Sequence, residues 1–325
     1  MSETSSDKPL RLVFMGTAEL ARECLRALAD AGRFDLAAVV TQPDRPSGRK
    51  LKLQPSPVKA LAVELGLPVL QPDRARDESF IAELRALAPE LIAVAAYGQI
   101  LPKAILDLPP HGCLNVHASL LPAYRGASPI QAAILNDDAE SGVTIMRMDE
   151  GLDTGDIVSL ETTPIDSKDD AQSLHDRLAR IGGDLLVRTI PEYTAGRMPP
   201  RPQPEEGVSH VGKIRKQEGE IDWTQPARAI WCRARAFTPW PGAFVWRGEG
   251  EGRRMLKLWK TGVMDAGGLE GRPGEILQAD KNGVVIACGE LALRVEVLQP
   301  EGKRRMSAQE FLTGHELQPG RLITD

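Results

Sequence analysis

Short apolar runs alternate with helical segments over the first two hundred residues. Strand-like runs occupy residues 10–15, 36–40, 68–70, 91–96, 114–117, 143–148 and 157–165. After the first run, apolar side chains recur at helical spacing, namely Leu20, Cys24 and Leu28 with Ala21 and Leu25 beside them. A long helix over about residues 172–195 closes this part of the chain. The alternation predicts an α/β domain with a mostly parallel sheet that is covered by helices on both faces.

A different pattern begins at residue 196. Residues 196–207 are rich in Pro, Arg and Glu, which is typical of a semi-rigid linker. A helical segment over residues 226–236 follows, and Trp240, between two prolines, is expected to pack into the core rather than to stack on a base. Short strand-like runs punctuated by glycine then occupy residues 255–259, 274–277, 283–287 and 291–298. Such a series predicts a small β-barrel, of the OB type.

These patterns divide the chain into three parts. They predict a first domain over residues 1–195, a linker over residues 196–212 and a C-terminal OB-like domain over residues 213–325. With 325 residues, the chain is long enough to form two hydrophobic cores, and two domains are the natural expectation.

The composition is that of a soluble globular protein, with 42% hydrophobic and 26% charged residues. No uninterrupted apolar stretch approaches the roughly 20 residues that span a bilayer, and residues 1–10 carry no signal-peptide core. The four cysteines are scattered without a CxxC pair, so a reducing cytoplasm is the expected location. A net charge of −5 argues against a protein that coats nucleic acid without specificity. From Val208 onward, however, 18 Lys and Arg outnumber 15 Asp and Glu, a mild indication of a polyanionic partner.

The candidate chemistry lies at the end of the run over residues 114–117. Because side chains alternate along a strand, Asn115 and His117 are expected to project from one face. A carboxylate, Asp153, stands on a loop flanked by glycines. An amide that stabilises an oxyanion, with an imidazole and a carboxylate that manage a proton, is the set that acyl transfer to an amine requires. His117 lies at the carboxyl end of its strand, where sheets of this class bind their ligands.

Each of these three residues, taken singly, also has an ordinary structural interpretation as a turn former or a satisfied core group. A zinc site is another alternative, because His111, Cys113 and His117 lie close together in the sequence. The usual ligand spacing and a paired second cluster are missing, however, so no metal is expected.

The turn after the first strand limits the possible cofactors. It reads Gly16-Thr17-Ala18-Glu19-Leu20-Ala21 and does not contain GxGxxG. Without that dinucleotide fingerprint, a bound nicotinamide cofactor is not expected.

The connection after the second strand, residues 41–57, is unusually long for a loop between a strand and a helix. It contains no aromatic residue and carries four positive charges, namely Arg45, Arg49, Lys50 and Lys52. A solvated surface loop is the simplest interpretation. Cations on a long loop also suit contacts with nucleic acid phosphates, and a polyanion held there would lie beside the candidate site.

Taken together, these motifs resemble the methionyl-tRNA formyltransferases over nearly the whole chain. The matching segments are Gly16-Thr17, the loop over residues 41–57, residues 96–102, 115–122 and 124–131, the Asp153 loop, and residues 235–242. The Asn, His, Ser-Leu-Leu-Pro and Asp elements are shared by formyltransferases that use 10-formyltetrahydrofolate, so they identify the chemistry. The Gln-Pro-Asp-Arg-Pro loop and Pro239-Trp240-Pro241 are specific to the tRNA branch.

The resemblance implies a Rossmann-like formyltransferase domain followed by an OB-like domain that also contacts tRNA. It implies that Asn115, His117 and Asp153 are catalytic. The folate contacts that it implies are Tyr97, Gly98, Gln99, Ile100, Leu101, Pro102, Ser119, Leu120, Leu121, Pro122, Met148, Glu150, Gly151 and Leu152. The implied tRNA contacts are Arg45, Arg49, Lys50 and Lys52.

The activity that the resemblance implies is transfer of the formyl group of 10-formyltetrahydrofolate to the α-amino group of methionine on initiator methionyl-tRNA, for translation initiation. The expected partners are this tRNA and the folate co-substrate, with no membrane and no metal. The sequence has no sustained heptad pattern, which favours a monomer. Departures from the family pattern occur at Ala18 and Leu20, which affect packing, and at Lys50 and Ala123, which bear on loop flexibility and one phosphate contact.

Two other functions remain open from the sequence. A formyltransferase that acts on an amino sugar-nucleotide would share the folate half and the catalytic set, but it predicts a nucleotide pocket in the C-terminal domain instead of a basic loop. A non-catalytic RNA-binding protein would leave Asn115, His117 and Asp153 without a purpose, and it fits the net acidity poorly.

Overall fold

The computed structural model describes residues 8–47, 52–265, 267–268 and 270–325. The chain divides into two compact units. The first consists of Met1–Pro129, Glu140–Pro164 and His175–Val211, and the second of Ile130–Ala139, Ile165–Leu174 and Gly212–Asp325. Residues 196–211, expected to form a linker, therefore belong to the first unit.

The first unit is built on a seven-stranded sheet. The strands of this unit, including those outside the large sheet, are in chain order β1 (Leu10–Gly16), β2 (Phe34–Val40), β3 (Arg45–Ser47), β4 (Lys52–Gln54), β5 (Val69–Leu70), β6 (Leu91–Ala95), β7 (Cys113–His117), β8 (Arg125–Gly126), β9 (Glu140–Arg147), β10 (Ile157–Pro164) and β11 (His210–Val211). The order in the sheet is β10-β9-β7-β6-β1-β2-β5, while β3 pairs with β4 and β8 with β11. The five strands from β7 to β5 run parallel, and β9 is antiparallel to β7 and to β10. The predicted α/β class with a mostly parallel sheet is confirmed.

Helices up to residue 194 are α1 (Glu19–Asp30), α2 (Pro57–Glu64), α3 (Glu78–Ala86), α4 (Lys103–Leu106), α5 (Pro129–Leu135) and α6 (Ala171–Thr194). The predicted stripe of α1 is confirmed, because its buried residues are Leu20, Ala21, Cys24, Leu25 and Leu28. Every residue of β6 is buried, as expected for a central parallel strand with helices on both faces. Burial alternates more along β10, the edge strand.

Part of the connection over residues 41–57 is regular structure. Strands β3 and β4 form an antiparallel pair in which Arg45 lies opposite Gln54. The sequence did not predict this pair, because three-residue strands are too short to give a periodic signal. Arg49 and Lys50, two of the predicted tRNA contacts, lie outside the described residues.

The second unit contains a six-stranded antiparallel sheet. Its elements after residue 212 are α7 (Ala227–Ala236), β12 (Ala243–Arg247), β13 (Arg254–Met264), β14 (Ile276–Asp280), β15 (Gly283–Ala287), β16 (Ala292–Pro300), β17 (Met306–Ser307) and α8 (Ala308–Gly314). The strand order is β12-β13-β16-β15-β14, with β17 paired to β16. Side chains from α7, α8 and the sheet form its core, including Ile230, Leu258 and Phe311. This is the antiparallel β-domain that the short strands predicted.

The expectation for Trp240 was wrong. Its side chain is 56% exposed, whereas nearby Phe237 is 1% exposed and occupies the core instead. The predicted packing rested on the prolines at both sides of Trp240, but prolines fix the backbone and do not decide which way the intervening side chain points.

Among the described residues, no helix combines the length and the apolar character needed to cross a bilayer.

Candidate active site

His117 is held at the carboxyl end of β7 by neighbours on two sides. Its side chain is 6% exposed, and its Nε2 lies 3.0 Å from the backbone carbonyl oxygen of Tyr124. A carbonyl oxygen only accepts hydrogen bonds, so Nε2 must carry a proton and donate it. In the neutral ring this leaves the lone pair on Nδ1. The site therefore presents a base at Nδ1.

Asp153 faces that base. Its Oδ2 lies 3.7 Å from His117 Nδ1 and accepts a hydrogen bond of 2.8 Å from the backbone N–H of Gly126. The Asp153 backbone has a φ of 53°, a left-handed conformation that a side-chain-bearing residue adopts only where its surroundings enforce it. At 3.7 Å the two atoms are too far apart for a direct hydrogen bond but close enough to attract a proton that arrives between them.

The electrostatics favour a neutral imidazole. Burial lowers the pKa of His117 below its usual value, and the Asp153 carboxylate and the Tyr124 carbonyl oppose that shift. At pH 7 the ring is therefore neutral and able to accept a proton at Nδ1. The nearby carboxylate stabilises the ring once it is protonated.

Asn115 provides the third group from the same strand. On this strand Asn115 is half-buried, while its neighbours Leu114 and Val116 are 0% and 4% exposed. In the part of the chain that the structure describes, the Asn115 carboxamide makes no hydrogen bond. Its N–H groups are thus available to a ligand, which is what an oxyanion-stabilising donor requires.

The loop that carries Asp153 is fixed from within. The Asp149 carboxylate accepts hydrogen bonds from the Gly151 N–H at 3.0 Å and from the Thr154 hydroxyl at 2.7 Å. Gly155 lies so close to β9 that a Cβ there would stand 1.8 Å from the carbonyl oxygen of Arg147. Backbone cannot yield as a flexible side chain can, so the loop path requires glycine at this position.

We therefore expect Gly155→Ala to lower the free energy of unfolding by about 1–3 kcal/mol, the usual cost of overpacking, as measured by urea denaturation. Gly262→Ala is the matched control, because a Cβ at Gly262 meets no atom within 4 Å. An unchanged denaturation midpoint for Gly155→Ala would show that the loop is not constrained as described.

The segment over residues 97–102 contains two kinds of side chain. Ile100 is 89% exposed, whereas Tyr97 and Leu101 are 2% and 4% exposed and belong to the core. Burial raises the pKa of Tyr97 to about 12, and its hydroxyl has no partner among the described residues. Gly98 approaches Gln42 closely, and Gln99 accepts a hydrogen bond of 2.7 Å from the Ala75 N–H. Of these side chains, Ile100 is the one most available to a ligand.

Residues 119–122 support the end of β7. The Ser119 hydroxyl donates to the Ala123 carbonyl at 2.6 Å, and the Thr144 hydroxyl donates to the Ser119 carbonyl at 2.7 Å. The Leu121 N–H in turn donates to the Thr144 hydroxyl at 3.1 Å. The buried Ser119 and Leu121 side chains thus shape the strand end, and Leu120 and Pro122 are half-buried.

The loop over residues 148–152 presents its apolar tip to solvent. Leu152 is 63% exposed, Glu150 and Gly151 are exposed, and Met148 is half-buried. A cavity of about 320 Å³ is lined by Lys103, Leu106, Asp107, Arg147, Met148, Asp149, Glu150, Gly155 and Asp156. It includes two of the predicted folate residues, Met148 and Glu150, but none of the three predicted catalytic residues.

The beginning of the basic connection over residues 41–57 is attached to the segment over residues 97–102. Arg45 donates a hydrogen bond of 2.7 Å to the Gln42 side chain, whose amide nitrogen donates to the Tyr97 carbonyl at 2.9 Å. Lys59 and Asp44 form an ion pair at 2.7 Å beside them. Lys52 is the first residue of β4. The predicted cations Arg49 and Lys50 lie outside the described residues.

Two residues that stabilise this site, Gln203 and Ser209, were not predicted from the sequence. Gln203 donates hydrogen bonds of 2.8 Å to the carbonyls of Asp153 and Gly155, and the Ser209 hydroxyl accepts one of 2.8 Å from the Tyr124 N–H. Both lie in the segment interpreted as a linker, and a Gln between two prolines carries no pattern that would have indicated a contact.

The zinc alternative finds no support in the geometry. The Cys113 thiol lies in the core near the carbonyls of Ile105 and Leu106, and burial raises its pKa to about 12, which disfavours the thiolate that zinc requires. In the described part of the chain, no three His, Cys, Asp or Glu side chains are grouped to hold a metal ion.

Two family profiles match the sequence. The profile described as formyl transferase matches residues 10–190, and the one described as formyl transferase, C-terminal domain, matches residues 213–316. The chain is 49% identical over 311 residues to a methionyl-tRNA formyltransferase of Magnetococcus marinus, covering 95% of this chain and 97% of that protein. It is 48% identical over 310 residues to that of Myxococcus xanthus, covering 95% and 96%.

Two solved structures with a similar fold are more distant in sequence. HypX from Aquifex aeolicus, in complex with tetrahydrofolic acid, matches with a TM-score of 0.63 at 18% identity over 95% of this chain and 49% of its own. WlaRD, a sugar 3N-formyl transferase studied with dTDP and 5-N-formyl-THF, matches with a TM-score of 0.64 at 18% identity, over 91% and 99%. At such identities these likenesses establish the fold alone.

Proposed function

Because the chain belongs to the methionyl-tRNA formyltransferase family and formylates methionyl-tRNA, we propose that its formyl donor is 10-formyltetrahydrofolate and that Asn115, His117 and Asp153 carry out the transfer. The acceptor is the α-amino group of methionine on initiator methionyl-tRNA, and the product is N-formylmethionyl-tRNA for translation initiation. The observation that carries this proposal is the placement of the Asp153 carboxylate 3.7 Å from His117 Nδ1, with Asn115 on the same strand.

The reaction follows from these three groups. The neutral methionyl amine attacks the formyl carbon, and the carbonyl electron pair moves onto oxygen, where the Asn115 N–H groups stabilise it. His117 accepts the amine proton at Nδ1, and Asp153 stabilises the imidazolium that results. The intermediate then collapses, the bond from the formyl carbon to N10 breaks, and the proton passes to N10. Holding both substrates in one cleft converts the encounter into a positioned attack.

We propose that the folate lies between the segments over residues 97–102 and 148–152. Ile100 and Leu152 are 89% and 63% exposed, so each offers apolar surface that a flat ring could cover. The remaining proposed contacts are Tyr97, Gly98, Gln99, Leu101, Pro102, Ser119, Leu120, Leu121, Pro122, Met148, Glu150 and Gly151. Tyr97, Ser119 and Leu121 are buried, so we expect them to shape the backbone around the folate site and not to contact the folate through exposed side chains.

The decisive assay supplies 10-formyltetrahydrofolate to the purified protein with three acceptors in turn: initiator methionyl-tRNA, the same tRNA without methionine, and a dTDP-linked amino sugar. Formation of formylmethionyl-tRNA with stoichiometric loss of the donor is expected, and only with the first acceptor. Formylation of the sugar nucleotide alone would favour a formyltransferase that acts on amino sugar-nucleotides. tRNA binding without any formyl transfer would indicate a non-catalytic RNA-binding protein.

The tRNA contacts are proposed at Arg45, Arg49, Lys50 and Lys52. Each cation that pairs with a phosphate releases a counterion, so Arg49→Ala should weaken tRNA binding and lower the slope of log K against log salt by about 1. Filter binding of initiator methionyl-tRNA over a range of salt concentrations measures this slope. Arg85→Ala, on the exposed side of α3, is the control that should leave it unchanged. An unaltered slope for Arg49→Ala would make the connection over residues 41–57 an ordinary surface loop.

The remaining parts of the proposal concern organisation. We assign residues 1–195 to the catalytic domain, 196–212 to a connecting segment that packs on that domain up to residue 211, and 213–325 to an OB-like domain that also contacts tRNA. The enzyme works as a monomer in the cytoplasm, where initiator tRNA is used, and no step of the mechanism above requires a metal ion.

A further inference from the structure

The side chain of Gln203 uses its whole hydrogen-bonding capacity on the two loops that flank His117. Its amide nitrogen donates to the carbonyl oxygens of Asp153 and Gly155, at 2.8 Å each. Its carbonyl oxygen accepts from both Nε and a terminal nitrogen of Arg125, at 3.1 and 2.8 Å. Four hydrogen bonds from one half-buried amide fix its position and that of its partners.

Both partners lie next to atoms that contact the imidazole. Asp153 faces Nδ1 with its carboxylate, and Gln203 holds the backbone carbonyl of the same residue. Arg125 stands between Tyr124, whose carbonyl accepts from Nε2, and Gly126, whose N–H holds the Asp153 carboxylate. Each group that orients His117 therefore belongs either to a residue that Gln203 bonds directly or to the sequence neighbour of such a residue.

The stretch around Gln203 is itself attached to the first unit on both sides. Before it, Arg201 and Ile157 exchange two backbone hydrogen bonds of 2.8 Å. After it, the Ser209 hydroxyl and carbonyl accept from the N–H groups of Tyr124 and Arg125 at 2.8 and 2.9 Å. A Cβ on Gly126 would stand 2.2 Å from the Val211 carbonyl, so the two backbones pack closely. A segment fixed in this way can transmit position to the loops that it holds.

We propose that Gln203 is a positioning residue for formyl transfer, which holds the Asp153 carboxylate at Nδ1 of His117 by clamping the Asp153–Gly155 loop to the Tyr124–Gly126 turn. This inference rests on the proposed function, because it assumes that the pair of His117 and Asp153 handles the proton. Gln203 makes no contact with the reacting atoms, so its effect should appear in the rate of the chemical step. Binding of either substrate should be nearly unaffected.

Two variants separate the halves of the clamp. Gln203→Met keeps the length of the side chain and removes all four hydrogen bonds. Gln203→Glu retains an oxygen for Arg125 but replaces the donors to the Asp153 and Gly155 carbonyls with a carboxylate. Both should lower kcat for methionyl-tRNA formylation about 10- to 100-fold, the usual effect of a small misplacement, while KM for each substrate changes less than about threefold.

A second readout does not depend on turnover. Loss of the clamp moves the Asp153 carboxylate away from Nδ1 and removes a group that raises the pKa of His117. The ring resonances of His117, followed by NMR in Gln203→Met, should therefore titrate at lower pH than in the wild-type protein. A purely structural role would lower the melting temperature without moving this titration.

Arg197→Ala is the matched control, since it removes a bidentate ion pair with Glu192 from the same stretch but touches neither loop. It should leave kcat and the His117 titration unchanged. Wild-type kcat in Gln203→Met or in Gln203→Glu, or an unshifted titration in a folded Gln203→Met protein, would overturn the clamp. If the wild-type protein did not formylate methionyl-tRNA at all, the proposed function itself would fail, and the two failures are thereby distinguished.

Discussion

Replacing Asp153 with Asn is expected to lower kcat for formylation by about 10³- to 10⁴-fold. The amide is isosteric and can still accept the hydrogen bond from the Gly126 N–H, so the loop should keep its path. What disappears is the negative charge 3.7 Å from His117 Nδ1, and with it the stabilisation of the imidazolium that forms when the amine is deprotonated. Single-turnover formylation with both substrates saturating measures this loss.

The pH dependence of the rate gives a second test of Asp153, because the direction of its change can be predicted. The Asp153 carboxylate favours the protonated ring and therefore raises the pKa of His117 against the larger effect of burial, which lowers it. Without that charge the pKa falls further, so the acid limb of the rate profile, where the base becomes protonated, should move to lower pH in Asp153→Asn. Asp30→Asn, at the exposed end of α1, should change neither rate nor profile. A full-speed Asp153→Asn enzyme would remove the carboxylate from the mechanism.

Asn115→Ala is expected to lower kcat by about 10²- to 10³-fold, the usual cost of losing one oxyanion donor. The Asn115 carboxamide is half-buried and forms no hydrogen bond with the described residues, so its removal leaves no partner unsatisfied and the fold should be unaffected. The loss should therefore fall on the transition state, with the Kd of methionyl-tRNA changed little. Rapid-quench kinetics and filter binding measure the two quantities separately.

Asn282→Ala serves as the control for Asn115→Ala. Asn282 lies at the exposed turn between β14 and β15, where it hydrogen-bonds with the neighbouring Asp280. It should leave kcat at the wild-type value. If Asn115→Ala weakened tRNA binding by the same factor as it slowed the reaction, Asn115 would be a binding residue and not a stabiliser of the oxyanion.

The candidate catalytic residues could be selected from the sequence because their signals are local. The alternation along β7 depends only on successive residues, and the position of His117 at a strand end follows from the α/β pattern. The contacts that Gln203 makes with the site were not predictable in this way. Gln203 contacts Asp153 and Arg125 across 50 and 78 positions of the sequence, and no local periodicity encodes such contacts.

Trp240 and the pair of β3 and β4 illustrate the same limit. For Trp240, tertiary packing placed Phe237 in the core and left the Trp exposed, although both are large apolar residues. For β3 and β4, residues 45–47 pair with residues 52–54, although the charge and proline content around them were typical of a loop. The sequence indicated candidate residues for the chemistry, whereas the contacts that position them depend on the folded chain.

The central claim is that Asn115, His117 and Asp153 act together on one reacting carbon. A double-mutant cycle in single turnover tests it most directly, with Asn115→Ala, Asp153→Asn and the double variant measured at saturating 10-formyltetrahydrofolate and initiator methionyl-tRNA. Groups that act as a unit show strongly non-additive losses. The account predicts that the double variant is slowed no more than about tenfold beyond Asp153→Asn alone. Losses that simply multiply, or a wild-type rate in either single variant, would contradict it.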